Sequence, residues 1–210
     1  MTLNMKPLLV SGMGRTGTTI TARLLDSHPA IHMTVEKRII RTMLAYLRDL
    51  DMHSTRLGKT KPEKYSYTAE TVDEWLAIRK AIAAGLRKSL ECVYFKKGIQ
   101  YFGDKHYSYM KEINFLPILL PNFKMVITKR DKGEIIKSLL RQHWFHGDLG
   151  KISVEIDRVN SFIEYVKDRP NIHILTLEKL RSKPKKMAKE LADFLELQDK
   201  FDTKLIKGAK

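Results

Sequence analysis

Pro7-Leu8-Leu9-Val10-Ser11-Gly12-Met13-Gly14-Arg15-Thr16-Gly17-Thr18-Thr19 is the stretch that decides how this chain folds. It opens as a short apolar run, suited to a buried parallel strand. It then turns through Gly12, Gly14 and Gly17, where a backbone without Cβ takes left-handed angles and lets a ligand come close. Thr18 and Thr19 follow, and then Ile20, Leu24 and Leu25 at helical spacing. Strand, glycine turn and helix start make the geometry of a phosphate cradle. Backbone N–H groups converge at a helix N-terminus, where the dipole also favours an anion. The bland alternative is a glycine turn with no chemical role.

A nucleoside-triphosphatase loop reads Gly-x-x-x-x-Gly-Lys-Ser/Thr. Gly12 and Gly17 keep that spacing, but Thr18 stands where the lysine should be. The positive charge lies inside the loop, on Arg15. The order Gly-x-x-Arg-Thr-Gly-Thr-Thr, followed by Leu24-Leu25-Asp26-Ser27-His28-Pro29, resembles the 5′-phosphosulfate loop of sulfotransferases. Those enzymes use 3′-phosphoadenosine 5′-phosphosulfate (PAPS). The resemblance implies a P-loop NTPase-like sulfotransferase fold. It also implies that Gly14, Arg15, Thr16, Gly17, Thr18 and Thr19 bind the donor. The N–H groups of Thr16, Gly17 and Thr18, with the Thr18 and Thr19 hydroxyls, would hold its 5′-phosphate.

With 210 residues and 43% hydrophobic content the chain can bury a proper core as one domain over 1–210, with a helical insertion around 51–98. No apolar run approaches the ~20 residues of a membrane span. Met1–Lys6 lack the apolar core of a leader peptide. The single cysteine, Cys92, excludes an internal disulfide framework and suits a reducing, cytoplasmic compartment. Its helical surroundings read as those of a small buried hydrophobe. A formal net charge of +15 points to an anionic partner: a doubly charged nucleotide, a polyanionic acceptor or nucleic acid. No zinc, helix-turn-helix or RNA-binding signature supports sequence-specific nucleic-acid recognition. Lys185, Lys186 and Lys189 read as a solvated helix face.

Beyond the first helix, Ile31–Val35 reads as a connector or short strand, and Glu36-Lys37-Arg38 opens a helix to about Leu50. Asp51–Tyr67 is polar and reads as a surface loop. Thr71–Glu91 is a helix with a core stripe through Trp75, Ala83 and Leu90. Ile99–Gly103 is a strand followed by Asp104-Lys105, and Tyr109–Leu120 is a helix. Phe123–Thr128 is a strand running into Lys129-Arg130-Asp131. Helices over Glu134–Trp144 and Ile156–Lys167 follow, with Gly147 and Gly150 bracketing a turn between them. Asn171–Leu177 is a strand, and Met187–Leu195 a last helix. Alternating strands and helices predict an α/β fold with a mainly parallel central sheet and helices on both faces. Ligands of such sheets bind beyond the carboxyl ends of the strands. That rule gathers Gly12–Thr19, Asp104-Lys105 and Lys129-Arg130-Asp131 on one rim.

Three more segments resemble sulfotransferases. A strand followed by Arg130-Asp131, with Ser138 eight residues after the arginine, is similar to the family's 3′-phosphate segment. This implies cofactor binding by Arg130 and Ser138; the alternative for Arg130 is an ion pair with Asp131 or Glu134. His28-Pro29 followed by Glu36-Lys37-Arg38-Ile39-Ile40 is similar to a tyrosylprotein sulfotransferase motif, with Thr34-Val35 and Lys37 as departures. It implies Glu36 as general base and Arg38 on the substrate side. Lys105 after Gly103-Asp104 resembles a family lysine, although His106-Tyr107 replaces the family's Thr-Pro. It implies that Lys105 and Arg15 stabilise charge on the sulfuryl group and leaving phosphate.

The function expected from this resemblance is sulfuryl transfer from PAPS to a hydroxyl or amine, releasing 3′-phosphoadenosine 5′-phosphate (PAP), with no metal. His106 and His32 are rival bases, and His106 is also a substrate-side candidate. His143 and His146, beside Trp144 and Phe145, are candidates for an acceptor cleft. A sugar, a peptide tyrosine, a lipid or a small alcohol or phenol remain open as acceptor, and a homodimer could complete that side. Two rivals remain. A P-loop kinase or NTPase would use Asp104 at a metal. A non-enzymatic polyanion-binding module would show a steep salt dependence.

Overall fold

The computed structural model describes residues 5–57, 72–142, 146 and 148–207. Five strands form one sheet: β1 (Lys6–Gly12), β2 (Ile31–Val35), β3 (Tyr101–Lys105), β4 (Lys124–Lys129) and β5 (Ile172–Thr176). Their order is β2-β3-β1-β4-β5, and every neighbouring pair is parallel. β1 is central because it is apolar on both faces, with Leu8, Leu9 and Val10 fully buried. Alternation sends Leu9 to one core, with Phe102, Met125 and Ile127. Leu8 and Val10 go to a second core, with Tyr101, Val126 and Met33.

Helices cover both cores. The face of Leu8 holds α1 (Thr18–Asp26), α7 (Leu177–Ser182), α8 (Pro184–Leu195) and α9 (Lys204–Lys207). The face of Leu9 holds α2 (Ile39–Leu57), α3 (Val72–Tyr94), a 3₁₀ helix (Tyr107–Glu112), α4 (Leu116–Leu119), α5 (Lys132–Arg141) and α6 (Leu149–Val166). Among the described residues, no helix is long and apolar enough to cross a membrane.

Several boundaries differ from the sequence reading. Glu36-Lys37-Arg38 does not open a helix. Glu36 and Arg38 take φ of 56° and 62°, and α2 starts at Ile39. α2 then runs through 51–57, since nothing in that stretch breaks a helix before Gly58. The rest of the expected loop, 58–67, lies outside the described residues. Asp104 and Lys105 belong to β3 itself, where they lie opposite Leu9 and Val10 of β1 and Thr34 and Val35 of β2. The stretch 109–120 splits in two because Pro117, lacking an N–H, fits only a first helical turn and starts α4 there.

α5 is capped by Asp131, which accepts the Glu134 N–H at 3.0 Å; its expected end at Trp144 lies outside the described residues. Asp148 likewise caps α6 through the Lys151 N–H at 3.0 Å, which puts Gly150 inside the first turn rather than in a connecting turn. The short α7 carries no sequence signal that marks it. Cys92 is exposed, not buried. It lies out of phase with the buried Ala83, Leu90 and Tyr94 of α3.

Candidate active site

β1 sits where strand order reverses, with β3 on one side and β4 on the other. At the carboxyl ends of these strands stand the loop after β1, Lys105 as the last residue of β3, and Arg130 just past β4, as an open parallel sheet requires. Arg15 takes φ 72° at the tip of the loop. Gly17 takes φ 93° and caps α1 without any side-chain bond, leaving the first N–H groups of the helix for an outside acceptor. A Cβ on Gly17 would lie 2.6 Å from Leu177 Cδ1, so glycine is required there by contact as well as by backbone angle.

Thr16 is committed to the loop itself. Its N–H donates to Met13 O at 3.3 Å, and its hydroxyl lies 2.6 Å from both Met13 O and Thr128 Oγ1. These bonds form a latch between the loop and β4. Thr18 and Thr19 line a cleft of about 510 Å³, together with Arg15, Arg23, Arg130 and Arg181.

Arg15 Nε donates to Ser138 Oγ at 2.9 Å, and Ser138 is buried. Arg130 donates to the Arg15 carbonyl at 3.1 Å and to Glu134 at 3.1 Å, and its Nε lies 3.9 Å from Glu178. The ion pair with Glu134 is thus formed, and Ser138 serves Arg15 rather than Arg130. The structure brings Arg15, Arg130 and Ser138 together as one interlocked group. Sequence reasoning missed Arg23, Arg181 and Lys204. Arg23 is recoverable from the phase of α1. Arg181 and Lys204 reach the cleft from α7 and α9, which no local pattern places there.

At the end of β3, Lys105 Nζ donates to Glu36 Oε1 at 2.5 Å, and the Glu36 N–H donates to Lys105 O at 3.1 Å. The lysine side chain is 8% exposed and the glutamate 50%. The Lys105 hydrogen bond holds the Glu36 carboxyl below the usual glutamate range; burial opposes it, and the Lys105, His106 and Arg38 charges reinforce it. The side chain of Arg38 is exposed.

His106 is buried. Its Nδ1 accepts the Ser108 N–H at 3.1 Å and lies 2.7 Å from Ser108 Oγ, so the ring proton belongs on Nε2. Burial pushes its pKa down, with the Arg41 charge adding to that and Glu36 and Asp104 opposing. At neutral pH it is an uncharged imidazole, engaged with the chain after β3. His32 lies earlier on β2, opposite Phe102 and 3.5 Å from Asp26, away from the rim. His143, Trp144 and Phe145 lie outside the described residues. Asp104 is fully buried, its carboxylate bonded to Thr34 and Tyr109, which occupies the atoms a kinase reading would give to a metal. Among the described residues, no group of three or more His, Cys, Asp or Glu could hold a metal ion.

The histidines set a pH dependence. His173 is also pushed down by burial, with Glu190 opposing, and its buried Nε2 has no partner. Both His106 and His173 have folded pKa values below the unfolded 6.5. The unfolded chain therefore binds protons first as pH falls. Stability should be complete above about pH 6.5 and should drop as pH falls from there towards the folded pKa values. Urea midpoints at pH 7.5 and 5.5 check this, and a midpoint that rises on acidification contradicts it.

A family profile described as the Sulfotransferase family matches residues 7–202. Protein-tyrosine sulfotransferase 1 of Rattus norvegicus is 27% identical over 139 residues, covering 65% of this chain and 34% of that protein. The Homo sapiens protein of the same name is 27% identical over 137 residues. The match thus spans about a third of the length of these curated relatives. Among solved structures, the sulfotransferase domain of the Synechococcus PCC 7002 olefin synthase has a TM-score of 0.63 at 19% identity, covering 99% of this chain and 78% of that one. The sulfotransferase domain from the curacin biosynthetic pathway has a TM-score of 0.61 at 18% identity, covering 97% and 77%. These two likenesses are of fold.

Proposed function

The chain belongs to the sulfotransferase family, and from that premise we propose that it moves a sulfuryl group from PAPS to a hydroxyl or amine of an acceptor. The observation that carries this reading is the placement of an arginine-bearing anion cradle and a Glu36–Lys105 pair on one rim of one sheet. The residues fit the donor: a cleft of about 510 Å³, the uncapped start of α1, a glycine with no room for Cβ, and several cations. Gly14, Gly17, Thr18 and Thr19 hold the 5′ side. Arg130 and Ser138 hold the 3′ side, and Ser138 also anchors Arg15. When bound, the donor supplies an activated sulfuryl group.

Glu36 takes the acceptor proton. Bonded to Lys105 it is ionised but a weak base. Negative charge arriving at the rim draws on the same ammonium, and the carboxylate regains basicity. Arg15 and Lys105 offset charge as it develops, and preorganised charge of this kind is usually the largest contribution to such chemistry. Arg38 and His106 face the acceptor side, His106 by holding the chain after β3. The unit is one domain, with the end of α2 and α3 supplying part of the acceptor side. Among acceptor classes, a peptide tyrosine has the support of the curated relatives' own names.

Calorimetry with PAP, beside ATP with magnesium, tests the donor. PAP should bind, and Arg130→Ala should weaken it about 10- to 100-fold, as expected for losing a charge-assisted bond. Binding of ATP alone moves the chain to the kinases. Binding of neither, with steep salt dependence towards a polyanion, supports the binding-module reading instead.

A further inference from the structure

Four side chains meet under the turn that carries Glu36, and the proposed chemistry uses none of them. Asp104 is 0% exposed, between Leu9 of β1 and Thr34 of β2. A buried carboxylate needs donors for both oxygens. Thr34 Oγ1 donates to Oδ1 at 2.8 Å, and the Tyr109 hydroxyl donates to Oδ2 at 2.8 Å. The Tyr94 hydroxyl, at the end of α3, lies 3.2 Å from Thr34 Oγ1 and donates to it in turn. Burial pushes the Tyr94 hydroxyl up to about 12 and raises that of Tyr109 as well, so both stay protonated donors. The last donor is backbone: the Lys37 N–H reaches Asp104 Oδ1 at a longer 3.4 Å.

Lys37 sits between Glu36 and Arg38, both with left-handed backbone. Residues with a Cβ keep such angles only where their surroundings over-determine them. Two bonds do so here, both from the end of β3: Glu36 N–H to Lys105 O, and Lys37 N–H to Asp104. We propose that Asp104, held by Thr34, Tyr94 and Tyr109, is the positioning residue of this turn, pinning the Lys37 N–H and so aiming the Glu36 carboxylate at Lys105. The inference takes Glu36 as the proton acceptor from the reading above, but its test needs no ligand.

The test is a carbon-detected NMR titration of Glu36 in the full chain. In the native protein Glu36 titrates low because Lys105 bonds it; burial opposes this, and the Lys105, His106 and Arg38 charges add to the lowering. Asp104→Leu removes both acceptor oxygens at similar volume. Glu36 should then titrate higher, towards the ordinary glutamate range, and Lys37 amide exchange should speed up about tenfold or more. The direction is diagnostic. Losing the Asp104 charge alone would push Glu36 further down, so an upward move reports lost aim. Asp104→Asn also loses the charge but keeps an oxygen for Lys37, and it should leave Glu36 low.

An unmoved Glu36 in Asp104→Leu overturns the proposal, as does an Asp104→Asn that moves Glu36 as far. If Asp104→Leu does not fold, Tyr109→Phe and Thr34→Val each strip one donor and should raise the Glu36 titration part of the way; no movement in either overturns it too. PAP affinity should stay within twofold in the folded variants. Failure of PAP to bind the native chain counts against the donor reading and leaves this one standing.

Discussion

Glu36→Gln is expected to lower sulfuryl transfer by about 10²- to 10⁴-fold, the usual contribution of a positioned general base. Glutamine keeps the shape and can still accept the Lys105 hydrogen bond, but it cannot take a proton. Affinity for PAP should survive, since Glu36 sits at the ends of β2 and β3 while the cradle follows β1. Transfer from PAPS to a phenol, a tyrosine peptide, a sugar and a lipid alcohol, in native and variant chains alike, measures it. Transfer undiminished in the variant removes Glu36 from the role. The acidic side of the native pH profile carries a second signature. The Lys105 bond holds Glu36 of the free protein below the ordinary range, so kcat/KM, which reports the free enzyme, should persist to lower pH than a free glutamate would allow.

Gly12→Ala should damage the cradle and the fold together. Gly12 has φ 144°, a region that residues with a Cβ rarely adopt. An added Cβ would overlap Thr128 Oγ1 and would lie 2.7 Å from Thr128 O and 2.9 Å from Thr16 Oγ1. Those hydroxyls form the latch that ties the loop to β4. The backbone angle alone costs about 1–3 kcal/mol, and each kcal/mol lowers Tm by roughly 2–4 °C in a chain of this size. PAP affinity should fall on the order of 10- to 100-fold, the equivalent of about 1.4–2.8 kcal/mol. Thermal melts and calorimetry on the same preparation separate the two effects. A variant with native Tm and native PAP affinity would falsify the latch.

Much of the sheet was legible because its strands are short apolar runs ended by glycine, proline or charge. β2 matches 31–35, β4 and β5 fall within one residue of the sequence reading, and β1 and β3 within two. β3 lies two residues further along because its last two residues, Asp104 and Lys105, look like loop. They are strand because β1 and β2 flank them on both sides, and the polar atoms of Asp104 find donors there. The turn at 36–38 was misread for a related reason. Nothing in Glu36-Lys37-Arg38 forbids a helix, and the left-handed angles are held by bonds made in the fold, chiefly from the end of β3. Cys92 was misplaced because an apolar neighbourhood in sequence is not a buried face. Helical phase turns it outward.

The α/β architecture, the strand–glycine–helix unit at 7–26 and the residue types gathered at the rim follow from the order of residues alone. These depend on local backbone freedom and on apolar periodicity, which neighbouring residues settle among themselves. Which side chains bond one another is settled by how the elements pack. Ser138 turns to Arg15, Thr16 to Thr128, and Lys105 to Glu36. These partners lie tens of residues apart in the chain. Directional hydrogen bonds within about 3 Å are set by the meeting of strand ends, which no local pattern specifies.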